Sequence, residues 1–295
     1  MYHRVGVLTP DAHHLCIAPD TFRAHIAELR ERYCPLDLVQ FAHQLAAGDL
    51  PPGAVAVTLD DGCYDNLVTA SPILTEFEVP ATFFVPTERL DERREYWWDI
   101  VERAFFSTTP LPSSLDLPDI GVLDTKTAPA RQEAHRLLAS TLRNLPADAR
   151  DSVVAAVCAW AGCDVAPRDS HRPMVADEVR DLSTRPGHAI GAHGVRHVRL
   201  TRVAAEQRRV EMIQSKQALE RLIGAPVTAF AYPYGDWDAD TQVLAQSIFA
   251  VAVTATPGTA RGDSHPLALP RFDAGVMSRA DLVATLHEAF RVDQR

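Results

Sequence analysis

Short apolar runs that end in polar residues alternate with longer amphipathic stretches along this chain, and no other feature limits its possible folds as strongly. The apolar runs have the composition of buried strands, and they lie at residues 2–8, 54–59, 81–85, 188–192, 227–231, 250–255 and 267–269. Helical stretches stand between most of them. The alternation predicts an α/β fold, and the number of runs predicts an incomplete or distorted (β/α)7-type barrel.

Amphipathic spacing predicts helices at residues 21–33, 38–47, 66–77, 203–223 and 279–290. Asp20 and Asp37 precede the first two of these stretches, so each is expected to cap its helix. His287 lies in the last stretch, whose apolar positions predict a helix that covers the barrel. We therefore interpret His287 as structural.

Residues 88–172 interrupt the alternation and predict a mostly helical insertion within a single domain that spans residues 1–295. The insertion contains the run Trp97-Trp98-Asp99, a loop rich in proline and serine at 110–118, and helical stretches at 131–145 and 147–160.

Net charge, apolar runs and cysteines limit the function classes. The formal net charge of −10 would repel a phosphate backbone, which argues against a nucleic-acid partner. The longest nearly unbroken apolar run, residues 153–161, is about half of the roughly 20 residues that a membrane-spanning helix needs. No signal-peptide core follows Met1, so a cytoplasmic location is expected. Irregular spacing predicts free thiols for the cysteines, which are Cys16, Cys34, Cys63, Cys158 and Cys163.

Adjacent carboxylates follow the strand predicted at 54–59. Asp60 and Asp61 stand at its carboxyl end, before Gly62, which permits a sharp exit from the strand. Because neighbouring side chains point in different directions, one carboxylate can bind a cation while the other stays free as a base. A solvated turn or a helix cap is the alternative interpretation.

Two histidines four residues apart, His193 and His197, begin at the end of the strand predicted at 188–192. At this spacing both imidazole rings can point at one position. Two imidazoles and one carboxylate would hold a divalent metal and leave positions open for water and substrate, as a catalytic metal requires. Surface histidines that bind no metal are the alternative.

The strand predicted at 227–231 runs into an aromatic loop formed by Tyr232, Pro233, Tyr234 and Gly235. The proline and the glycine favour an irregular backbone. Such a backbone can present the Tyr234 N–H as an oxyanion donor beside a substrate. A packed corner is the alternative interpretation.

Arg271 follows the strand predicted at 267–269. Its guanidinium is always charged and can pair with a free carboxylate such as Asp60, although a surface ion pair is the alternative. The carboxyl ends of parallel strands in an α/β barrel form the edge at which catalysis takes place. We therefore expect the polar residues of all four strand ends to form one site.

Taken in order, these motifs resemble those of the polysaccharide deacetylase superfamily of carbohydrate esterases. The resemblance implies a metal-dependent hydrolase that removes an N-acetyl or O-acetyl group from a sugar or glycan precursor. It implies that Asp61, His193 and His197 bind a divalent metal, zinc first with cobalt or nickel as alternatives, and that Asp60 is the base. The residues that carry it are Thr58-Leu59-Asp60-Asp61-Gly62, His193-Gly194-Val195-Arg196-His197 and Phe230-Ala231-Tyr232-Pro233-Tyr234-Gly235.

The run Tyr2-His3-Arg4-Val5 looks like the amino-terminal element of the circularly permuted branch of this superfamily, which includes poly-N-acetylglucosamine deacetylases. By this resemblance His3 is the general acid. Three departures from the family pattern stand out. Leu59 replaces a phenylalanine, and Gly194 replaces a serine or threonine whose hydroxyl often orients the site. The third motif lacks its arginine, so the family's Asp–Arg pairing is either made by Arg271 or absent.

The sequence leaves alternatives open for the substrate class and for the activity. Trp97-Trp98-Asp99 resembles a run in a bacterial subgroup of sugar deacetylases, and the two tryptophans are either a wall on which a pyranose ring stacks or anchors of the insertion. The expected partner is an acetylated sugar, oligosaccharide or glycoconjugate. The superfamily also hydrolyses cyclic amides and other C–N bonds, and a catalytically silent carbohydrate-binding protein is a third reading. The sequence predicts no oligomeric state.

Overall fold

The computed structural model describes residues 1–106, 110–163 and 166–292. The chain forms two units, of which the first combines Met1–Glu92 with Met174–Arg295 and the second is Arg93–Pro173. The strands, numbered in chain order, are β1 (Arg4–Val5), β2 (Cys16–Ile17), β3 (Cys34–Pro35), β4 (Ala54–Val55), β5 (Val57–Leu59), β6 (Ala81–Val85), β7 (Ser114–Leu117), β8 (Gly121–Asp124), β9 (His188–Ala192), β10 (Ala229–Ala231) and β11 (Val251–Val253).

A parallel sheet in the order β11-β10-β9-β6-β5 is the centre of the first unit. Isolated parallel bridges extend it on both sides, from Leu59 to Tyr2 and from Val253 to Leu269. These two outer segments meet, because the Ala274 N–H donates to the Met1 carbonyl at 3.0 Å. The sheet is therefore curled into a distorted barrel of the (β/α)7 type, which confirms the predicted fold class.

Several strands are shorter than the sequence predicts. The run at 2–8 contributes only the bridge at Tyr2 and strand β1, and Val7 is 78% exposed. The run at 54–59 is divided at Ala56, because β4 pairs with β3 outside the main sheet while β5 pairs with β6. The last predicted strand, 267–269, is reduced to its bridge at Leu269.

The helices are α1 (Pro19–Arg32), α2 (Leu38–Ala47), α3 (Ser71–Glu76), α4 (Trp97–Phe106), α5 (Ala128–Leu142), α6 (Ala147–Ala161), α7 (Ala176–Ser183), α8 (Ala205–Ile223), α9 (Ala239–Gln246) and α10 (Arg279–Val292). Within the described ranges, none of them has the length and apolarity needed to cross a membrane.

Of the two predicted helix caps, one is confirmed and one is wrong. The Asp37 carboxylate accepts the N–H groups of Val39 and Gln40 at 2.8 and 3.1 Å. Asp20 lies inside the first turn of α1, because Pro19 starts the helix earlier: its fixed φ suits the first helical position, where no N–H is needed. The segment predicted as one helix at 66–77 begins with a π-helical turn, Asn66–Ala70, before α3.

Two long helices cover the barrel. In α8, Met212 and Leu219 are fully buried. In α10, Leu282 and Leu286 face inwards whereas His287 is exposed on the outer side. His287 therefore does not face the barrel, and its structural role stays a prediction.

The second unit contains α4, α5, α6 and an antiparallel hairpin of β7 and β8. The hairpin corrects the loop predicted at 110–118. In β7, Leu115 and Leu117 are 2% exposed while their neighbours are exposed, which is the period-two pattern of a half-buried strand. The surrounding prolines concealed this short pattern. The unit starts at Arg93 rather than at residue 88.

None of the five cysteines, all of which lie in the described ranges, forms a disulfide bond. This agrees with the prediction from their spacing.

Burial of a histidine in α5 gives the second unit a predictable sensitivity to acid. His135 is 4% exposed and lies against the rings of Phe105 and Phe106, with centroid distances of 5.8 and 5.1 Å. Burial lowers the pKa of His135 from 6.5 to about 4. The unfolded chain therefore takes up this proton at a higher pH than the folded chain does.

We expect His135→Leu to reduce the pH dependence of stability. In the wild type, the free energy of unfolding falls by about 2 to 3 kcal/mol through this group as the pH falls from 6.5 towards 4, and the group has no such effect above 6.5. Denaturant unfolding at a series of pH values measures the slope. An unchanged slope in the variant would contradict this assignment.

Candidate active site

Polar residues from several strand ends meet at the carboxyl edge of the curled sheet. Asp60 and Asp61 follow β5, and His193 follows β9. Arg271 lies beyond the bridge at Leu269. All four side chains are buried, with exposures between 2 and 8%. The structure thus gathers the residues that the sequence analysis expected to form one site.

Asp61, His193 and His197 present three possible metal ligands to one another. The Asp61 Oδ1 lies 3.4 Å from Nε2 of His193 and 3.3 Å from Nε2 of His197. The two Nε2 atoms are 3.2 Å apart. The Nδ1 of His193 is 2.8 Å from the Ala231 carbonyl, so with its proton on Nδ1 the ring directs an unprotonated Nε2 at the other two ligands.

The backbone at these residues is unusual. Asp61 has φ of +70° and His197 has φ of +48°, values that few residues other than glycine adopt. Gly62 has φ of +58°, and a Cβ there would lie 3.1 Å from Val85 Cγ1. Positive φ at two candidate ligands is the kind of local strain that clusters at functional sites.

The electrostatics of the triad suit a cation. Burial alone would raise the pKa of Asp61, but the imidazoles of His193 and His197 beside it hold that pKa well below its usual range, so the carboxylate is ionised. This carboxylate attracts positive charge: burial alone would lower the pKa of His193, but the neighbouring Asp61 raises it. An ionised carboxylate beside two imidazoles is a donor set that zinc accepts in catalytic sites. These residues therefore fit a divalent metal.

Asp60 forms a bidentate ion pair with Arg271. The two guanidinium nitrogens Nη1 and Nη2 donate to its Oδ1 and Oδ2 at 2.8 and 2.6 Å. Arg271 is itself held by the Thr254 carbonyl at 2.8 Å and the Thr58 hydroxyl at 3.0 Å. Burial alone would raise the pKa of Asp60, but the guanidinium charge lowers it below the ordinary value. Asp60 is therefore a carboxylate that stays ionised at neutral pH.

His3 reaches the same edge through the amino-terminal segment. The Tyr2 N–H donates to the Thr58 carbonyl and the Asp60 N–H donates to the Tyr2 carbonyl, both at 2.9 Å, which places this segment beside β5. The Asn66 side chain donates to the His3 carbonyl at 2.8 Å. These bonds place the backbone of His3 beside the end of β5, which carries Asp60 and Asp61.

The aromatic loop after β10 contributes its backbone and one ring. Tyr234 has φ of +60°, and its ring contacts the His197 ring at a centroid distance of 4.5 Å. Gly235 is required, because a Cβ there would lie 2.5 Å from that of Ala255. Tyr232 has a structural contact instead: it is 1% exposed and its hydroxyl donates to the Leu267 carbonyl at 2.9 Å.

Trp97 and Trp98 are both 4% exposed within the second unit. Trp98 stacks on Tyr96 with centroids 4.4 Å apart, and the Arg150 guanidinium lies 5.9 Å from the Trp97 ring. A wall for a pyranose ring needs an exposed aromatic face. The observed burial argues against the wall and favours the alternative, in which the two tryptophans anchor the insertion.

The sequence analysis missed two features. Glu211 in α8 is 0% exposed and contacts the turn between the histidines, and its signal was a charged residue among the buried positions of α8. In the second unit, Asp99, Glu102 and His171 bring ligand-type atoms within 4.8 Å of one another. The i, i+3 spacing of the two acids on α4 was the available signal, but His171 is distant in sequence.

Comparison with known proteins gives both a family and relatives. The profile of the polysaccharide deacetylase family matches residues 47–107 and 153–251, just over half of the chain. A stretch of 102 residues is 26% identical to "Putative polysaccharide deacetylase YxkH" of Bacillus subtilis (strain 168). That match spans 34% of this chain and 37% of the relative.

Solved structures share the fold. The deacetylase PplD of Streptococcus pyogenes, in complex with acetate, matches with a TM-score of 0.65 and 19% identity over 97% of this chain and 96% of that one. IcaB from Ammonifex degensii matches with a TM-score of 0.60 and 16% identity over 98% and 94% of the two chains. At these identities the similarity establishes the architecture of the chain.

Proposed function

Because the chain belongs to the polysaccharide deacetylase family, we propose that it is a metal-dependent hydrolase that removes an N-acetyl group from a sugar or glycan precursor. One observation carries the proposal: a buried Asp61–His193–His197 triad stands beside a second carboxylate, Asp60, which is paired with Arg271. A cation site next to an ionised base is what hydrolysis of an amide by water requires.

Asp61, His193 and His197 would hold the metal. Zinc suits this donor set, with cobalt or nickel as alternatives. When bound, the metal supplies Lewis-acid activation of water and polarisation of the acetyl carbonyl.

The chain's own residues would move the protons. Asp60 accepts a proton from the attacking water, and Arg271 keeps that carboxylate ionised and oriented. The Tyr234 N–H is the candidate donor to the developing oxyanion. His3, protonated, gives its proton to the amine as the C–N bond breaks, so the products are acetate and the free amino sugar. An O-acetyl ester would follow the same steps with an alcohol as the leaving group.

The test is metal-dependent release of acetate. Purified protein stripped of metal is reloaded with zinc or cobalt and offered a panel of N-acetylated sugars and glycolipid precursors. We expect acetate release that disappears on chelation and returns with the metal. The same preparations are assayed in parallel for ring-opening of cyclic amides.

Two results would contradict the proposal. Ring-opening of cyclic amides without acetate release would move the activity to other C–N bonds. Saturable binding of an oligosaccharide without turnover, at saturating metal, would indicate a carbohydrate-binding protein that has lost catalysis.

A further inference from the structure

The backbone turn between His193 and His197 has unusual φ angles, and contacts with other parts of the protein stabilise it. It begins at Gly194, with φ of +77°, and ends at His197, with φ of +48°. Glycine adopts such a conformation readily, but at His197 it costs free energy and persists only where the surrounding groups determine it. Because the path of the turn sets the position of the His197 imidazole, the groups that hold the turn also determine the metal-binding triad.

The carbonyls of the turn are held by the segment that follows β6. The Thr87 N–H donates to the Gly194 carbonyl at 3.2 Å, and the Glu88 N–H donates to the Val195 carbonyl at 2.9 Å. These bonds hold one side of the turn. They leave its N–H groups to be satisfied by another part of the protein.

A carboxylate from α8 accepts those N–H groups. The Oε2 of Glu211 accepts from the backbone N–H of Val195 at 2.8 Å and of Arg196 at 2.9 Å. Its Oε1 accepts from the Gln207 side chain at 3.2 Å. Glu211 is 0% exposed, so its carboxylate makes these bonds away from solvent.

The Glu211 carboxylate occupies the space that a side chain at position 194 would need. A Cβ at position 194 would lie 3.0 Å from Glu211 Oε2, in a backbone conformation that side chains rarely adopt. The family motif has a serine or threonine at this position. In this chain, the space beside Gly194 is occupied by the Glu211 carboxylate.

We propose that Glu211 is a positioning residue of the metal centre. Its carboxylate fixes the turn that carries His197 and so sets the affinity of the site for the metal, although Glu211 is not itself a ligand. The inference rests on the proposed metal-dependent function. It extends that function by a residue that lies outside the family motifs on which the resemblance was based.

Zinc affinity provides a readout separate from catalysis. We expect Glu211→Ala to weaken zinc binding by about 10- to 100-fold. This range is typical of residues that orient the metal ligands without binding the metal themselves. Glu211→Gln keeps an oxygen acceptor for the two N–H groups, so we expect a loss of about fivefold or less. Zinc dissociation constants measured by competition with a chromophoric chelator compare the variants.

A control on the same helix separates positioning from general destabilisation. Glu220 Oε1 accepts the Val227 N–H at 3.1 Å, so Glu220→Ala also removes a carboxylate that holds a loop backbone. We expect this variant to bind zinc as the wild type does. The visible absorption spectrum of the cobalt-loaded protein should change in Glu211→Ala and stay unchanged in Glu220→Ala.

The outcomes are distinct. Wild-type zinc affinity in folded Glu211→Ala, or an equal loss in Glu220→Ala, would overturn the inference. If Glu211→Ala does not fold, Glu211→Asp and Glu211→Gln test the role instead. The shortened carboxylate should lose more zinc affinity than the amide, and equal affinities would refute the positioning role.

The wild type separates the two proposals. Zinc binding without acetate release would overturn the deacetylase activity alone, whereas a wild type that binds no zinc would overturn both proposals.

Discussion

Asp60→Asn is expected to lower kcat for acetate release by about 10²- to 10⁴-fold, the usual contribution of a general base. An amide has almost the shape of the carboxylate but cannot accept the proton from water. Because Asp60 is not among the three candidate metal ligands, the donor set is kept, and zinc should still bind with an affinity reduced only by the loss of one nearby negative charge. Steady-state kinetics at saturating zinc, together with a zinc titration of the same preparation, measure both quantities.

The ion pair complicates this experiment, so a second variant is needed. In Asp60→Asn, the buried Arg271 loses its charged partner, and breaking such a pair commonly costs about 3 to 5 kcal/mol of stability. Thr58→Val removes only the hydroxyl that accepts from Arg271 Nη1. We expect it to lower kcat by about tenfold or less, since the base is retained. Near-wild-type turnover of metal-loaded Asp60→Asn would show that another group is the base.

The fold and most of the site were predictable because both depend on where strands end. Strands β6 and β9 have the predicted bounds, and the residues after β5 and β9 include Asp60, Asp61 and His193. Parallel strands bring their carboxyl ends to one edge of the sheet. Residues that follow different strands could therefore be expected to lie close together in the fold. The Asp60–Arg271 ion pair follows in the same way, since both residues lie beyond strand ends.

The remaining features depend on directions and contacts that a linear pattern does not contain. The strand pattern did not show that Tyr232 turns its hydroxyl to the Leu267 carbonyl while Tyr234 places its ring against His197. In α8, the spacing of Glu211 from Ser215 and Leu219 was a signal of burial, but it did not identify the groups from which the carboxylate accepts. Its buried partners, the N–H groups of Val195 and Arg196, come from a turn far away in sequence.

Removal of a metal ligand should have the largest effect on zinc binding. We expect His193→Ala to weaken zinc affinity by more than the roughly 10- to 100-fold that groups outside the ligand set contribute, and to abolish acetate release. The reason is that two donors, Asp61 and His197, do not hold the ion as three do. Chelator competition measures the affinity, and metal content after gel filtration shows whether any zinc is retained.

His188 provides the matched control for this variant. It is the first residue of β9, whereas His193 directly follows the last one. His188 is also buried, and its ring stacks on that of Phe83 at a centroid distance of 5.1 Å. His188→Ala should lower Tm through lost packing and still bind zinc like the wild type. If the two variants lost zinc affinity equally, the effect would reflect damage to β9, and the assignment of His193 as a ligand would fall. If only His193→Ala lost it, the carboxyl end of β9 would be the metal site, because both variants remove a buried histidine at an end of the same strand.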